Sequence, residues 1–526
     1  MAEGDRLVTV REEEMSSLGS GFSFHRIAYF LRPSVTSVDG PVFAPPLDSA
    51  NQDSTTSVDD SVPIKAIFSG WRCPRKEWIK WVDRMRSMHL STWKQAGIDD
   101  AITNSTFQIH RSDELILGVA EKWCSGTNTF VFPWGEATIT LEDMIFLGSF
   151  SVLGNSVLSR AGDVELEVTT KKLREARLYF SRTTARKASP SRWIEKFMEC
   201  GSEIEHEAFL AYWVSQFVFP YERDTISKAA LPIAASLARG TKLALAPAVL
   251  ADIYRNLSAL KGSLVASKKC GTGQGQKEVI EVKVTAPFQL VQAWVWERFP
   301  TLRPMPNSTG FGEPRLARWN GIKKVGTKKV LSAVDGAEEE FIWRPYMRAA
   351  NNCLPHMVYK EEDYWVLIKS GSGDEFEGLV RCLRPSELVS PEVDCIEQYL
   401  PHRVAMQFGM DQDLPGHVMR ENGSSEIAWS NYTRKIEDGI LYIPARLFES
   451  DATTRYLKWW HKLEFARSVR RKVDSDGKSR SRGFRIDEGL LKVKSEDDDL
   501  PPPGFPPKLP TVEAGISGSK TKETYG

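Results

Sequence analysis

The chain has 526 residues, 41% of them apolar and sixteen of them tryptophan, which is enough to build a large core. Lys plus Arg equals Asp plus Glu at 69 each, so net charge points to no polyanionic partner and only local asymmetry can. The seven cysteines are scattered from Cys73 to Cys395 with no Cys-x-x-Cys pair, which argues for a reducing compartment and against structural zinc.

The N-terminal MAEGDRLVTVREEE has no apolar run after a basic start, so a secretory signal is not expected. The most apolar region, 229–251, is interrupted by Arg239 and Lys242 and holds Pro232 and Pro247, short of the roughly 20 uninterrupted apolar residues of a membrane span. The expectation is a soluble intracellular protein with no membrane contact. Residues 1–61 carry ten acidic side chains against four basic ones and grow polar toward Ser49–Ser61, which predicts a disordered acidic leader, with Phe24 to Leu31 as a short strand or docking segment. From Val62 tryptophans appear among cations. Trp78, Trp81, Val82 and Met85 fall at helical spacing on one face, read as core in preference to a base-stacking surface.

Leu115, Ile116, Val119, Ala120 and Trp123 recur at helical spacing behind Asp113, a predicted N-cap. Thr127 to Phe132 alternates, the turn residues Pro133 to Glu136 follow, and Thr138 to Leu141 forms a second run, which predicts a hairpin. Thr140 and Asp143 have capping-box spacing ahead of Met144, Ile145, Phe146 and Leu147, so a helix starts as the hairpin ends. Residues 164–199 read as a polar, partly helical connection broken at Ser189-Pro190-Ser191. An apolar helix spans Glu205 to Phe219, a pair spans Thr225 to Leu260 with a break at Arg239-Gly240, and Lys268 to Lys277 is a polar loop. Prolines 287 and 300 bracket a helix over Phe288–Phe299.

Residues 303–330 include Arg315, Arg318, Lys323, Lys324, Lys328 and Lys329, a basic loop that either contacts phosphate or is a solvated insertion. Phe341 to Leu383 reads as strand, a helix surrounds Glu397, QFGMDQDLP follows, and a final helix covers Ala452–Arg471. At its end and beyond lie two basic clusters, Arg470, Arg471 and Lys472, then Lys478, Arg480 and Arg482, which read either as a nuclear import signal or as a charged tail. The proline-rich Pro501–Pro510 ends a basic, acidic and proline-rich segment.

The stretch holding Trp123, Thr129, Phe130, Pro133, Gly135, Glu136, Thr138, Thr140, Leu141, Glu142 and Asp143 resembles the core signature of the plant mobile domain family. WKQAGI with Trp93, Gly97 and Ile98, the helix EHEAFLAYWVSQFVFP, and Gln407, Phe408, Gly409, Gln412 and Pro415 support the match in the expected order. One departure is that many members read F-H-L-P where this chain has Phe130, Val131, Phe132 and Pro133, so chemistry hung on that histidine is missing. The resemblance implies a plant protein related to transposon-encoded domains, whose relatives act in the nucleus in transposon silencing, gene expression, genome stability and meristem maintenance. It implies nuclear proteins as partners, a long-form serine/threonine phosphatase relative among the candidates, with nucleic acid as a further option.

No catalytic chemistry is legible. Gly271, Gly273 and Gly275 lack the Lys-Ser/Thr of a phosphate loop, the eight histidines are isolated, and no lysine stands in a pyridoxal phosphate-cup context. The chain also lacks the Asn-His-Glu patch of a two-metal phosphatase. His402, Asp411 and Asp413 have no further ligand at useful spacing, and Glu136, Glu142 and Asp143 sit at a turn and a helix start, where structural roles suffice.

The sequence therefore predicts an α+β, predominantly α-helical fold: a large helical domain over 62–466 with a β-hairpin and a small antiparallel sheet, between the leader 1–61 and a tail 467–526. It predicts a non-enzymatic nuclear interaction scaffold with no catalytic, cofactor or metal site. The alternatives are a transposon-derived nucleic-acid binder, or a degenerate enzyme in which Glu136, Asp143 and Asp411 converge in one open pocket.

Overall fold

The chain opens with two nine-residue strands, β1 (Val8–Ser16) and β2 (Ser23–Leu31), where composition predicts a disordered leader. The computed structural model describes residues 6–17, 22–46, 63–159, 163–182, 187–221, 224–269, 279–310, 312–323, 329–347, 358–369, 373–391, 395–419, 423–435 and 439–476. After β3 (Ser34–Val35) and β4 (Ile64–Phe68) come helices α1 (Lys76–Ala96), α2 (Asp99–Asn104) and α3 (Asp113–Ala120). Strands β5 (Trp123–Cys124), β6 (Thr129–Phe132) and β7 (Gly135–Ala137) lead into α4 (Leu141–Gly148). Helices α5 (Val164–Ser181), α6 (Pro190–Phe197), α7 (Glu205–Trp213), α8 (Ala230–Ala238) and α9 (Leu245–Lys269) follow. Next are β8 (Ile280–Val284), α10 (Gln289–Arg298), α11 (Val330–Asp335), β9 (Tyr364–Ile368) and α12 (Asp374–Leu383). The chain continues through β10 (Ser386–Val389), β11 (Ile396–Tyr399), β12 (Leu414–Pro415), α13 (Ser425–Thr433), β13 (Gly439–Ile443), β14 (Ala452–Thr453) and α14 (Thr454–Asp476). The strands make small two- and three-stranded sheets, antiparallel except for β4–β8, so the fold is α+β and predominantly helical, as the sequence pattern predicts.

The leader is ordered because its charges are matched and because Val8, Met15, Ala28, Phe30 and Leu31 are buried. The inward face of the β1–β2 hairpin carries Arg11, Glu13 and Arg26, and β14 pairs with the end of β1. Arg26 reaches Asp411 at 2.6 Å and Asp451 at 2.7 Å, while Arg455 joins Asp413 at 2.7 Å to Glu13 at 2.6 Å. A composition count sees polarity there; it cannot see complementary partners some 400 residues away. Residues 1–5, 18–21 and 47–61 of the leader lie outside the described residues.

The tryptophan face of α1 is core, as its spacing predicts: Trp78, Trp81, Val82 and Met85 are all buried. Trp78 stacks on Phe209 at 4.7 Å and on Tyr212 at 4.8 Å, both from α7, which is buried on every side. A helix buried all round has no polar face to show, and α7 runs on into one π-helical turn, Val214–Val218. α8 and α9 are separated at Gly240, whose φ of 76° and close approach to Gln95 exclude a side chain without rearrangement.

Several local expectations are corrected. Ser112, not Asp113, occupies the N-cap of α3, and Trp123 falls in β5 rather than in that helix. The second hairpin strand is Gly135–Ala137, earlier than Thr138–Leu141, because the turn is only Pro133 and Trp134 wide and Thr140 is already the cap of α4. Residues 374–383 are a helix rather than a strand, and the segment around Glu397 is strand β11 rather than a helix. α14 passes through the expected boundary at 467 without a break. The polar loop 268–277 falls, from residue 270 on, outside the described residues, as do 477–526.

One buried contact between α1 and α7 makes stability depend on acid. Trp93 Nε1 donates to His206 Nε2 at 2.9 Å, and the His206 ring stacks on His89 at 3.8 Å. Burial, with His89 alongside, pushes His206 down to about 3 from its ordinary 6.5. The unfolded chain therefore binds a proton that the folded chain refuses: this stability is complete above pH 6.5 and declines as pH falls toward 3. Between pH 6.5 and 5 the loss is about 2 kcal/mol. Denaturant titrations of the wild type and His206→Gln across that window should show the extra slope in the wild type only.

Candidate functional site

The signature residues form a clamp around the β6–β7 turn. Gly135 makes that turn, and Glu136 on β7 is buried with both oxygens engaged by Arg403, at 3.1 Å from Nε and 2.7 Å from Nη2. Thr129 Oγ1 adds a donor to Glu136 at 2.6 Å. The main chain of Thr138 and the side chain of Gln407 exchange two hydrogen bonds, Thr138 N–H to Oε1 at 2.8 Å and Nε2–H to Thr138 O at 2.9 Å. Trp460 of α14 closes the outside by donating to Pro133 O at 3.0 Å. Trp123 and Phe130 pack edge to face beneath, with Phe130 against Trp294 at 5.1 Å.

The helix that follows is fixed by the same logic. Thr140 and Asp143 form the expected capping box, which places the Asp143 carboxylate at the start of α4. Its other oxygen accepts from Arg298 Nη2 at 2.7 Å and from the Tyr346 hydroxyl at 2.6 Å. Leu141 is fully buried, and Glu142 accepts from Tyr359 at 3.1 Å. Burial raises Glu142 to about 7, against the opposing pull of Arg344, with Asp143 adding to the rise.

Gln407 and Gln412 belong to the turn 401–415 that the clamp holds. Gln412 accepts from Ala405 N and donates to His402 O and Asp413 O, so it ties this segment to itself. Gly409, at φ 74°, lies where a Cβ would strike Arg344.

Glu136, Asp143 and Asp411 do not share an open pocket. Each is buried against its own guanidinium, those of Arg403, Arg298 and Arg26. A cavity of about 30 Å³, room for about two waters, opens among Asn104, Phe107, Trp213, Phe217 and Gln289, and none of the three acids lines it. His402 Nε2 lies 3.1 Å from Gly416 O and Asp413 holds Thr453 and Arg455, so these two and Asp411 are engaged by protein partners. Among the described residues no group of His, Cys, Asp and Glu is arranged to hold a metal, and no helix is long and apolar enough to cross a membrane.

The expected basic loop is largely inward. Arg315 is buried and clasps Glu297 at 2.7 Å, Arg318 adds a bond at 3.2 Å, and Trp319 donates at 3.0 Å to the same carboxylate. These two arginines thus neutralise a buried acid of α10 instead of facing phosphate, whereas Lys323 and Lys329 are exposed. Lys324 and Lys328 lie outside the described residues, as do the side chains of Arg470, Arg471 and Lys472 and all of Lys478, Arg480 and Arg482.

The residues that sequence reading missed are Arg298 and Arg403, which complete the two signature acids. Each sits just before or inside a predicted patch, Arg298 at the end of its helix and Arg403 four residues ahead of Gln407. An unmatched cation in an apolar context was the available signal.

Glu142 gives this site a pH signature. Its folded value, about 7, exceeds its ordinary 4.5, so the stability it contributes is complete below pH 4.5 and is lost as pH rises to 7. That loss amounts to about 3 kcal/mol. Glu142→Gln stays neutral throughout; its unfolding free energy should fall less than that of the wild type between pH 4.5 and 7 by that amount.

The profile of the plant mobile domain matches residues 97–461, more than half of the chain. The protein MAINTENANCE OF MERISTEMS of Arabidopsis thaliana is 26% identical over 329 residues, 59% of this chain and 60% of that protein. The protein MAIN-LIKE 1 of the same plant is 25% identical over 328 residues, covering 59% of this chain and 57% of its own length. A serine/threonine-protein phosphatase 7 long form homolog is 24% identical over 361 residues, 60% of this chain but 23% of that protein. The chain thus spans less than two thirds of the length of each of these relatives. No solved structure matches it. With the profile covering residues 97–461, the hairpin clamp and the turn 401–415 included, the chain belongs to the plant mobile domain family.

Proposed function

We propose that this plant mobile domain protein is a non-catalytic interaction scaffold working in the nucleus, in transposon silencing, gene expression, genome stability and meristem maintenance. The observation that carries the non-catalytic part is the state of the signature acids. Glu136 and Asp143 are each buried with both oxygens engaged, one arginine and further donors between them, which leaves neither carboxylate positioned to move a proton or hold a metal at a substrate. A general base has to reach its substrate within hydrogen-bond distance, and both groups are buried.

The nuclear setting and the meristem role rest on the relatives' names and on the basic clusters Arg470 to Lys472 and Lys478 to Arg482. A long-form serine/threonine phosphatase relative is the enzyme class we propose as one partner, on the strength of the third relative.

The reading is tested by affinity recovery of the tagged full chain from plant nuclei, with and without nuclease, beside a version ending at Asp476. Partners that survive nuclease and are retained by the shortened chain support the scaffold. Recovery that disappears with nuclease, together with in vitro binding that falls steeply with salt and needs residues after Asp476, replaces it with a nucleic-acid-binding module. Alanine at Arg470, Arg471, Lys472, Lys478, Arg480 and Arg482 together should move a fluorescent fusion out of the nucleus; unchanged nuclear signal removes the import role.

A further inference from the structure

The scaffold reading leaves open which face holds a partner, and the outer surface of the β9–β13 sheet carries an exposed row whose chemistry is specific. Asp363, Trp365 and Leu367 alternate with the inward Tyr364, Val366 and Ile368, so they point to one side. Trp365 is 48% exposed and Leu367 47%, whereas most of the chain's sixteen tryptophans are buried. Tyr442, directly across from Trp365 in the register, donates its hydroxyl to Asp363 Oδ2 at 2.9 Å, which fixes the carboxylate beside the indole.

The row does not stand alone. Tyr29 of β2 stacks on Tyr442 at 3.8 Å and lies 6.1 Å from Trp365, tilted by 58°. Ile27, 58% exposed, is two residues along on the same face of the hairpin, with Val10 across from Tyr29. The hairpin and the β9–β13 sheet therefore make one apolar and aromatic surface. Its rim at the Asp363 end is acidic: Glu361, Glu362 and Asp363 run together, and all are exposed. Arg446 answers Glu361 at 2.6 Å, but among the described residues no cation lies over Trp365 or Tyr29. Lys369 past the opposite end of the strand gives the row a direction.

An exposed indole with a pinned carboxylate at its edge is the arrangement that holds a guanidinium, which stacks on the ring while its N–H groups pair with the oxygens. A lysine ammonium lacks the flat face for the first contact and the fork for the second. We propose that this face binds an extended, arginine-bearing segment of a partner protein, one arginine seated between Trp365 and Asp363 and the neighbouring apolar residues on Leu367 and Ile27. An extended segment repeats its side chains every second residue at the spacing of the Asp363, Trp365, Leu367 row, so charge and apolar positions coincide along it. The proposal rests on the scaffold reading for its biological use and on the geometry of this face for its chemistry.

The test uses the full chain and a synthetic peptide in which arginine and valine lie two residues apart on one face, with serine at the intervening positions, and the same peptide carrying uncharged citrulline as control, measured by titration calorimetry. Saturable binding of the arginine peptide is expected, weakened about tenfold by citrulline, by Trp365→Ala and by Asp363→Asn. All the altered side chains are at the surface, and matching thermal melts establish that the variants fold. Val164→Ser on α5, an apolar side chain even more exposed, should bind like the wild type. Absent binding, equal binding of the citrulline peptide, or equal binding by Trp365→Ala overturns the proposal. A wild-type dimer that Trp365→Ala turns into a monomer by light scattering also overturns it, assigning the face to a second copy. Nuclear recovery run in parallel separates the two levels. Wild type and Trp365→Ala that recover the same nuclease-resistant partners without binding the peptide sink the face and keep the scaffold, whereas peptide binding with no nuclear partner sinks the scaffold alone.

Discussion

A carboxylate removed from water keeps its charge only where a cation and further donors replace its hydration, and three such acids determine how distant parts of this chain meet. Glu136 ties the signature hairpin to Arg403, 267 residues on. Asp143 ties the start of α4 to Arg298 and Tyr346, and Glu297 beside Arg298 ties α10 to Arg315, Arg318 and Trp319. Since Arg298 and Glu297 are consecutive, the last two sites share one helix end. The hairpin, two helices and the turn 401–415 are thus mutually located by groups that tolerate no loose arrangement. Removing one member leaves its partner buried, charged and alone, which costs about 3–5 kcal/mol where such pairs have been broken.

The N-terminal hairpin uses the same chemistry under wetter conditions. It precedes the residues matched by the family profile, yet Arg11 and Arg26 contact Asp413 and Asp411 inside them. These arginines are about a fifth exposed, so solvent and salt screen their pairs more than those of Arg403 and Arg298. The attachment of the hairpin is accordingly more sensitive to ionic strength than the pairs of Arg403 and Arg298. It also supplies Tyr29 and Ile27 to the exposed aromatic face, so anything that loosens it alters that surface.

Local features were the legible ones. The tryptophan stripe of α1, the capping box at Thr140, and the proline-bracketed α10 are set by residues three or four apart, and spacing reveals them. β11 was not legible as strand, because Ile396–Tyr399 is only four residues long and its partner β10 decides its shape. Arg315 and Arg318 look like a solvated basic loop until Glu297, on the preceding helix, is placed against them. The leader failed for the same reason on a larger scale, since its acids and arginines are answered from residues 411–455. Sequence showed which acids mattered in the signature but not their cations, and the cations are what distinguish a fold-holding carboxylate from a reactive one.

A double-mutant cycle on Glu136 and Arg403 measures that distinction most directly. Denaturant unfolding of the wild type, Glu136→Gln, Arg403→Met and the double variant should give a coupling energy of about 3 kcal/mol, each single change being costly and the second adding little to the first. Additive effects with coupling near zero would mean that the two side chains are not a buried pair, and that Glu136 is free for other chemistry.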